Sequence, residues 1–165
     1  MANPPSIHVS RVLPTAGPGT LSAREARAIL AVAFLAGEAD GEIMDEEQDA
    51  FSELAVALRG LVTQGDPQMA EAELEQMLDE LADRLDESGR AACLPDLARA
   101  LERDLARDLA YKVAVAMSLA DMNRSDDEAD FDEVLIVALK LSEEQADILS
   151  NDVYAAIEDD EDDED

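Results

Sequence analysis

Apolar residues recur at helical spacing through most of the chain, and no segment alternates convincingly as a strand would. Ser22 and Glu25 form a capping box, in which each side chain bonds the backbone amide of the other residue. An apolar stripe follows, so the pattern predicts a first helix over 23–38. Asp45 is suited to cap a second helix, and Gly60 is suited to end it.

The middle of the chain predicts two or three further helices. Asp66 followed by Pro67 is a strong start signal, because Asp accepts free backbone amides and Pro tolerates the first helical position. Gly89 ends the long leucine stripe that follows. Pro95 suggests a fresh start, and the apolar positions beyond it fit either one helix or two, with a break expected over 103–108.

The second half of the chain opens on another capping box, Ser125 with Glu128. Ser142 can cap a last helix. Residues 1–20 are rich in Pro and Gly and predict a flexible N-terminal arm, while the all-acidic segment 158–165 predicts a disordered tail.

These elements predict an all-α fold, a compact single-domain bundle of about six to seven helices over residues 21–157. The chain also repeats a short acidic phrase, once over 39–47 and again over 120–128. Each copy follows an Ala-rich apolar helix pattern and precedes another helix. We therefore expect two pseudo-repeated helix–acidic loop–helix units.

Composition favours this reading and narrows the range of partners. The 165 residues are 47% hydrophobic but only 3% aromatic, with no Trp, so Ala, Leu, Val and Met must fill the core. The formal net charge is -29, and the acidic tail accounts for only part of it. Such a chain is unsuited to contact a phosphate backbone directly, whereas cations and basic proteins are suitable partners.

The lone cysteine, the lone histidine and the short apolar stretches exclude three further features: a disulfide, a histidine metal site and a membrane span. The lone Cys93 rules out an internal disulfide, and its apolar surroundings indicate a small core residue. The lone His8 has no Cys or second His to complete a metal site. No apolar stretch is long enough to cross a membrane, so we expect a cytoplasmic protein without membrane insertion.

The acidic phrases resemble those of the tellurite-resistance TerB-like family, whose two related helical halves each carry an Ala-Asp-Gly type turn followed by a Glu. The resemblance covers about 21–157. The second copy departs from the family pattern, with Met122 where Gly is usual and Arg124 where an aliphatic residue is usual. The matching positions are Ala39, Asp40, Gly41, Ile43 and Glu47 in the first copy and Ala120, Asp121 and Glu128 in the second.

This resemblance implies a cytoplasmic stress-response module that binds a divalent cation at its paired acidic turns and docks partner proteins, among them other resistance components. The ligands it implies are Asp40, Glu47, Asp121 and Glu128. Calcium and magnesium suit such a site because both take carboxylate and carbonyl oxygens.

Helix capping is the alternative explanation for the same carboxylates, because acids in a first turn stabilise the helix dipole by about 0.3–1 kcal/mol each. An EF-hand does not fit. Its leading Asp would fall on Ala36 in the first copy and on Met117 in the second.

No motif predicts catalysis. The chain has no Gly-rich phosphate loop, no nucleophile elbow and no Cys/His cluster, so we expect a protein that is not an enzyme. The alternative to the cation module is a metal-independent acidic adaptor that binds a basic protein surface. Mimicry of nucleic acid is a third reading, which suits the charge but is favoured by no motif.

Overall fold

Seven α-helices and no strand make up the part of the chain that the computed structural model describes, which comprises residues 13, 17, 19–37, 45–63, 65–101, 103–120 and 133–162. The predicted all-α bundle is thereby confirmed. The helices are α1 Ala23–Gly37, α2 Asp45–Leu61, α3 Glu71–Ser88, α4 Arg90–Ala100, α5 Asp104–Ala120, α6 over residues 133–138, and α7 Glu143–Asp162, with a 3₁₀ turn at Pro67–Met69.

Helix α1 is the centre of the bundle. Its capping box forms as predicted, with the Ser22 amide donating to the Glu25 carboxylate at 3.0 Å and the Glu25 amide donating to the Ser22 hydroxyl at 3.1 Å. Apolar residues surround most of the helix, which is typical of a core helix. It contacts α2, α3, α4 and α5. Its buried residues are Ala23, Ala26, Ala28, Ile29, Leu30, Ala31, Val32, Ala33, Leu35 and Ala36.

Helix α5 is the most extensive partner of α1. The two helices meet at their N-terminal ends, where Arg103, just before α5, forms an ion pair with Glu25 in the first turn of α1. Helices packed along each other cross at acute angles of about 20° or 50°. The pair therefore runs in one general direction and reaches the opposite end of the bundle at Gly37 and Ala120.

Helix α2 returns beside α1 in the opposite direction. The Leu21 amide donates to the Leu61 carbonyl at 3.0 Å, so the end of α2 lies beside the start of α1. The start of α2 at Asp45 consequently lies at the same end of the bundle as the end of α1. Buried Leu54, Leu58 and Leu61 hold α2 against the core.

The core consists mainly of Leu, Ala, Val and Met, as the composition predicted. Cys93 is buried and unbridged, and its thiol donates weakly to the Gly89 carbonyl across 3.5 Å. Among the described helices, none is both long and apolar enough to cross a membrane.

One of two predicted helix boundaries near glycine and proline is wrong. Helix α2 ends at Leu61, one residue beyond the predicted stop at Gly60, which is within the usual uncertainty of a helix end. Asp66 and Pro67 begin a 3₁₀ turn, and the α-helix starts only at Glu71.

The 3₁₀ turn ends on a buried residue. Met69 enters the core, and its carbonyl accepts a hydrogen bond from Nε of Arg59 at 3.0 Å. Burial of this residue and its bond to α2 keep the turn separate from α3.

The helix start predicted at Pro95 is also wrong. Pro95 lies inside α4, which begins five residues earlier at Arg90. Gly89 permits this early start with φ 83° and ψ 168°, a conformation that only glycine adopts readily. Burial of Leu94 holds the proline-containing turn in place. The break expected over 103–108 falls at the start of that segment, since α4 ends at Ala100 and α5 begins at Asp104.

The last helix starts where the sequence places it. The Ser142 hydroxyl accepts the Gln145 amide at 3.0 Å and caps α7. Helix α7 runs to Asp162, into the segment 158–165 expected as a disordered tail, and residues 163–165 lie outside the described part. The capping box of Ser125 and Glu128 and the arm residues 1–12 also lie outside it.

Candidate functional site

The four predicted cation ligands come from the two acidic phrases. Asp40, Asp121 and Glu128 lie outside the residues that the structure describes. Glu47 lies in the first turn of α2, and its side chain is also outside the description. The geometry that bears on them is therefore that of the helix ends from which the two phrases depart.

Three helix ends border these phrases along the chain: the end of α1 at Gly37, the start of α2 at Asp45 and the end of α5 at Ala120. Because α1 and α5 run the same way and α2 runs back, all three belong to one end of the bundle. The chain thus enters both acidic phrases from the same end of the molecule.

The electrostatics of this end favour a cation. The C-terminal ends of α1 and α5 each carry about half a negative charge from their backbone dipoles. Neither helix has a basic residue in its last turn to offset it. The start of α2 is the positive end of that helix, and Asp45 to Glu47 place three acids in its first turn.

An ion pair between a buried carboxylate and a half-exposed arginine occupies the opposite end of the α1–α5 pair. Arg103 donates through Nε to Oε2 of Glu25 at 2.8 Å and through Nη2 to Oε1 at 2.6 Å. The same Nη2 donates to the Thr20 carbonyl at 2.8 Å. Glu25 is only 6% exposed, whereas 54% of the Arg103 side chain is open to solvent.

Ionisation is stabilised in both partners of this pair. The hydrogen bonds from Arg103 lower the pKa of Glu25 below its ordinary value of 4.5, although burial of the carboxyl acts in the opposite direction. The Glu25 carboxylate in turn raises the pKa of Arg103. Glu25 is therefore a buried carboxylate that remains charged at neutral pH.

Helix α3 carries a dense negative charge. Its apolar side includes buried Leu74 and Leu81. All eight of its carboxylates are exposed, and Arg84 on this helix pairs with Asp96 of α4 at 2.8 Å. The acidic face of α3 consists of Glu71, Glu73, Glu75, Asp79, Glu80, Asp83, Asp86 and Glu87.

Polar contacts also attach α7 to α5. The hydroxyls of Tyr111 and Ser150 lie 3.4 Å apart, and Lys112 lies 3.5 Å from the carboxylate of Asp152. Tyr111 is buried, so its hydroxyl fixes α7 at a specific position along α5.

Within the described residues, no three His, Cys, Asp or Glu side chains form a group that could bind a metal ion. The four predicted ligands do not belong to that set. A cation site at Asp40, Glu47, Asp121 and Glu128 therefore stays a prediction.

No protein-family model, no curated protein and no solved structure matches this chain. The resemblance to TerB-like proteins consequently depends on the quoted residues alone.

The sequence did not predict the ion pair between Glu25 and Arg103. It identified Glu25 only as half of a capping box and gave Arg103 no role in the site. The two residues are 78 positions apart, and no local pattern links them. One signal was available: Glu25 is the only acid in a helix that is otherwise apolar on most sides, and a buried acid needs a partner.

Proposed function

We propose that the protein is a non-enzymatic, cytoplasmic stress-response module that binds a divalent cation between its two acidic phrases and docks partner proteins. Calcium or magnesium would be held by Asp40 and Glu47 from one half and by Asp121 and Glu128 from the other. The observation that carries this proposal is the common direction of α1 and α5, which leads the chain into both phrases at one end of the bundle.

The chemistry of that end supports a shared ion. Either phrase alone supplies two of the implied carboxylates, too few for a hard cation that takes six or more oxygen ligands. Two phrases together supply four, and backbone carbonyls and water can complete the shell. Carboxylates brought together near two negative helix ends would repel one another, and a divalent cation would relieve that repulsion.

Titration calorimetry of the full chain with CaCl₂ and with MgCl₂, in about 0.1 M KCl to screen non-specific attraction, tests this proposal. We expect saturable binding by the wild-type protein. The double variant Asp40→Asn/Asp121→Asn should lose it, because two of four charged ligands become neutral. The matched control Glu73→Gln/Asp83→Asn removes the same charge from the exposed face of α3 and should bind as the wild type does.

Two results would contradict the cation site. One is a wild-type titration with no saturable heat. The other is equal affinity in the ligand variant and in the control, which would mean that the ion is attracted by net charge rather than held by these carboxylates.

The acidic face of α3 favours a second candidate function, a metal-independent adaptor that binds a basic protein surface. Eight exposed carboxylates on one helix present a continuous negative surface, which attracts a positively charged partner and speeds its association.

The same variants separate the two functions when an oligolysine peptide is the probe. An adaptor should bind the peptide in the presence of a chelator, lose affinity steeply with added KCl, and be weakened by the α3 variant. A protein that only binds a cation should show no difference between the α3 variant and the wild type.

A further inference from the structure

We propose that the exposed side of α6 and α7 is a docking surface for a basic amphipathic helix of a partner protein. Its apolar centre consists of Val134, Val137 and Ile148, and carboxylates flank that centre. The inference rests on the partner docking in the proposed function, to which it assigns a place and a partner class. It does not depend on the cation site.

Exposed apolar side chains are concentrated on these two helices. Four of the six large apolar residues that are exposed within the described residues lie there, and Val137 is the most open of them at 76%. Apolar residues scattered singly over a surface need no explanation, whereas a group of them indicates an interaction site. The four are Val134, Val137, Ile148 and Tyr154.

The short turn between the helices brings Val137 and Ile148 to one end of the pair. The Leu141 amide donates to the Ile136 carbonyl at 3.0 Å, so the chain leaves α6 and enters α7 within a few residues. Val137 is one residue from the end of α6, and Ile148 lies about 7.5 Å along α7 from its start at Glu143. Both residues are therefore within two helical turns of the same connection.

The opposite sides of both helices are already used by the core. Leu135 and Leu139 are buried, and Val137, midway between them in sequence, consequently lies on the outer side of α6. Ile148 lies at the edge of the inner side of α7 and is 49% exposed. The residues that α7 buries are Ala146, Leu149 and Val153.

The charges beside the apolar centre determine which partner suits it. Exposed Glu133 is four residues before Val137, and exposed Glu144 is four residues before Ile148, a spacing that places each pair on one side of its helix. Lys140 is the one basic residue in the sequence 133–162. A helix with an apolar stripe between basic residues complements such a surface in both respects.

A second copy of the chain suits this surface less well. A symmetric dimer would bring the same carboxylates of two chains together, and each chain carries a net charge of -29. An anionic membrane is disfavoured by the same repulsion. The basic amphipathic helix is the occupant that the charge favours.

Titration of the full chain with a Leu/Lys peptide of about 18 residues, whose leucines fall on one side of a helix, tests the inference. The buffer contains a chelator and about 0.1 M KCl. Two peptides serve as comparisons: a scrambled Leu/Lys sequence without an apolar side, and a Leu/Glu peptide with the original pattern. We expect the patterned Leu/Lys peptide to bind tightest and the Leu/Glu peptide to show no binding.

The double variant Val137→Thr/Ile148→Thr tests the apolar centre, because Thr nearly keeps the shape of these side chains but adds a hydroxyl. Affinity for the patterned Leu/Lys peptide should fall about fivefold to thirtyfold. Val56→Thr replaces a valine that is 65% exposed on α2, and this control should bind as the wild type does. Circular dichroism checks the fold, and Val137→Thr alone carries the expectation if the double variant is unfolded.

The double variant Glu133→Gln/Glu144→Gln tests the flanking charge. It should weaken binding of the same peptide about threefold to tenfold, and the loss should shrink as KCl is raised. Glu73→Gln/Asp83→Asn removes equal charge from α3 and should keep nearly the wild-type affinity.

Four results would contradict the docking surface. Equal peptide affinity in the wild type and in both α6–α7 variants would overturn this inference alone, since the cation titration concerns other residues. A larger loss in the α3 variant would assign docking to α3. Equal binding of the Leu/Lys and Leu/Glu peptides would exclude selection by charge, and a dimer in sedimentation that Val137→Thr/Ile148→Thr abolishes would make a second copy the occupant. Absence of any peptide binding by the wild type would also remove partner docking from the proposed function.

Discussion

Glu25 performs two tasks with one carboxylate. Oε1 accepts the Ser22 amide and so starts α1, and both oxygens accept bonds from Arg103 and so attach α5. Gln can perform the first task but cannot supply charge for the second. A single substitution therefore distinguishes the cap from the ion pair.

Glu25→Gln should lower the free energy of unfolding at neutral pH by about 1–3 kcal/mol, the usual worth of hydrogen bonds to charged groups. Because the pKa of Glu25 is lower in the folded state, its charge stabilises the protein fully above the ordinary value of 4.5. That contribution is lost as the pH falls through the folded-state pKa. The difference between wild type and variant should thus shrink below pH 4.5.

Urea unfolding at a series of pH values from neutral to acid measures this difference. Asp96→Asn, in an exposed ion pair, is the control and should cost little at any pH. A wild-type advantage over Glu25→Gln that stays constant through the acid range would show that charge is not what stabilises this contact.

At the scale of the element, the turn between α6 and α7 shows how a helix can end without glycine. Lys140 has a positive φ of 59°, its amide donates to the Val137 carbonyl, and the Leu141 amide donates to the Ile136 carbonyl. These bonds form a Schellman motif, in which glycine is the usual residue at the left-handed position. Lys140 therefore occupies a conformation that its side chain disfavours.

Lys140→Gly should stabilise the protein by about 1 kcal/mol, because glycine adopts this conformation without steric cost. The expected result is a higher urea midpoint with an unchanged slope. Lys140→Ala removes the same charge but keeps Cβ, so it should leave the midpoint nearly where it was. An equal gain from both variants would assign the effect to charge instead of backbone strain.

Elements that begin or end on a local signal were predicted well from the sequence, as at Ser22, Gly89 and Ser142. Each acts through its own backbone neighbours, so a short stretch of chain contains the whole cause. The predictions at Asp66 and Pro95 were wrong because burial of Met69 and Leu94 decided the local structure there.

The candidate site likewise has a part that local sequence predicts and a part that it does not. Local acidic phrases suggested its ligands, which the described residues do not test. The direction of α5 relative to α1 and the contact between Glu25 and Arg103 depend on residues 78 positions apart, which no single segment of the sequence encodes.

At the scale of the whole molecule, the net charge of -29 opposes folding, since compaction brings the carboxylates of α3 and the other exposed faces closer together. Stability should increase as KCl rises from about 0.01 to 0.15 M, while the Debye length falls from about 30 to 8 Å. A gain of about 1–2 kcal/mol would raise the Tm by roughly 2–8 °C in a chain of this size.

Thermal unfolding followed by circular dichroism across this salt range measures the effect. The α3 variant Glu73→Gln/Asp83→Asn carries less charge and should gain less from added KCl than the wild type. A Tm that falls or stays level with salt would show that attractive ion pairs outweigh repulsion in this protein.

The central place of α1 also governs when the chain can fold as it leaves the ribosome. Helix α1 is made early, yet its largest apolar contact is with α5, which is complete only at Ala120. Until then the most apolar of the described helices lacks its main packing partner, so we expect its apolar surface to be exposed on the nascent chain. We therefore expect that the first half, although it carries the better copy of the acidic phrase, does not fold as an autonomous unit and that the core closes only late in translation.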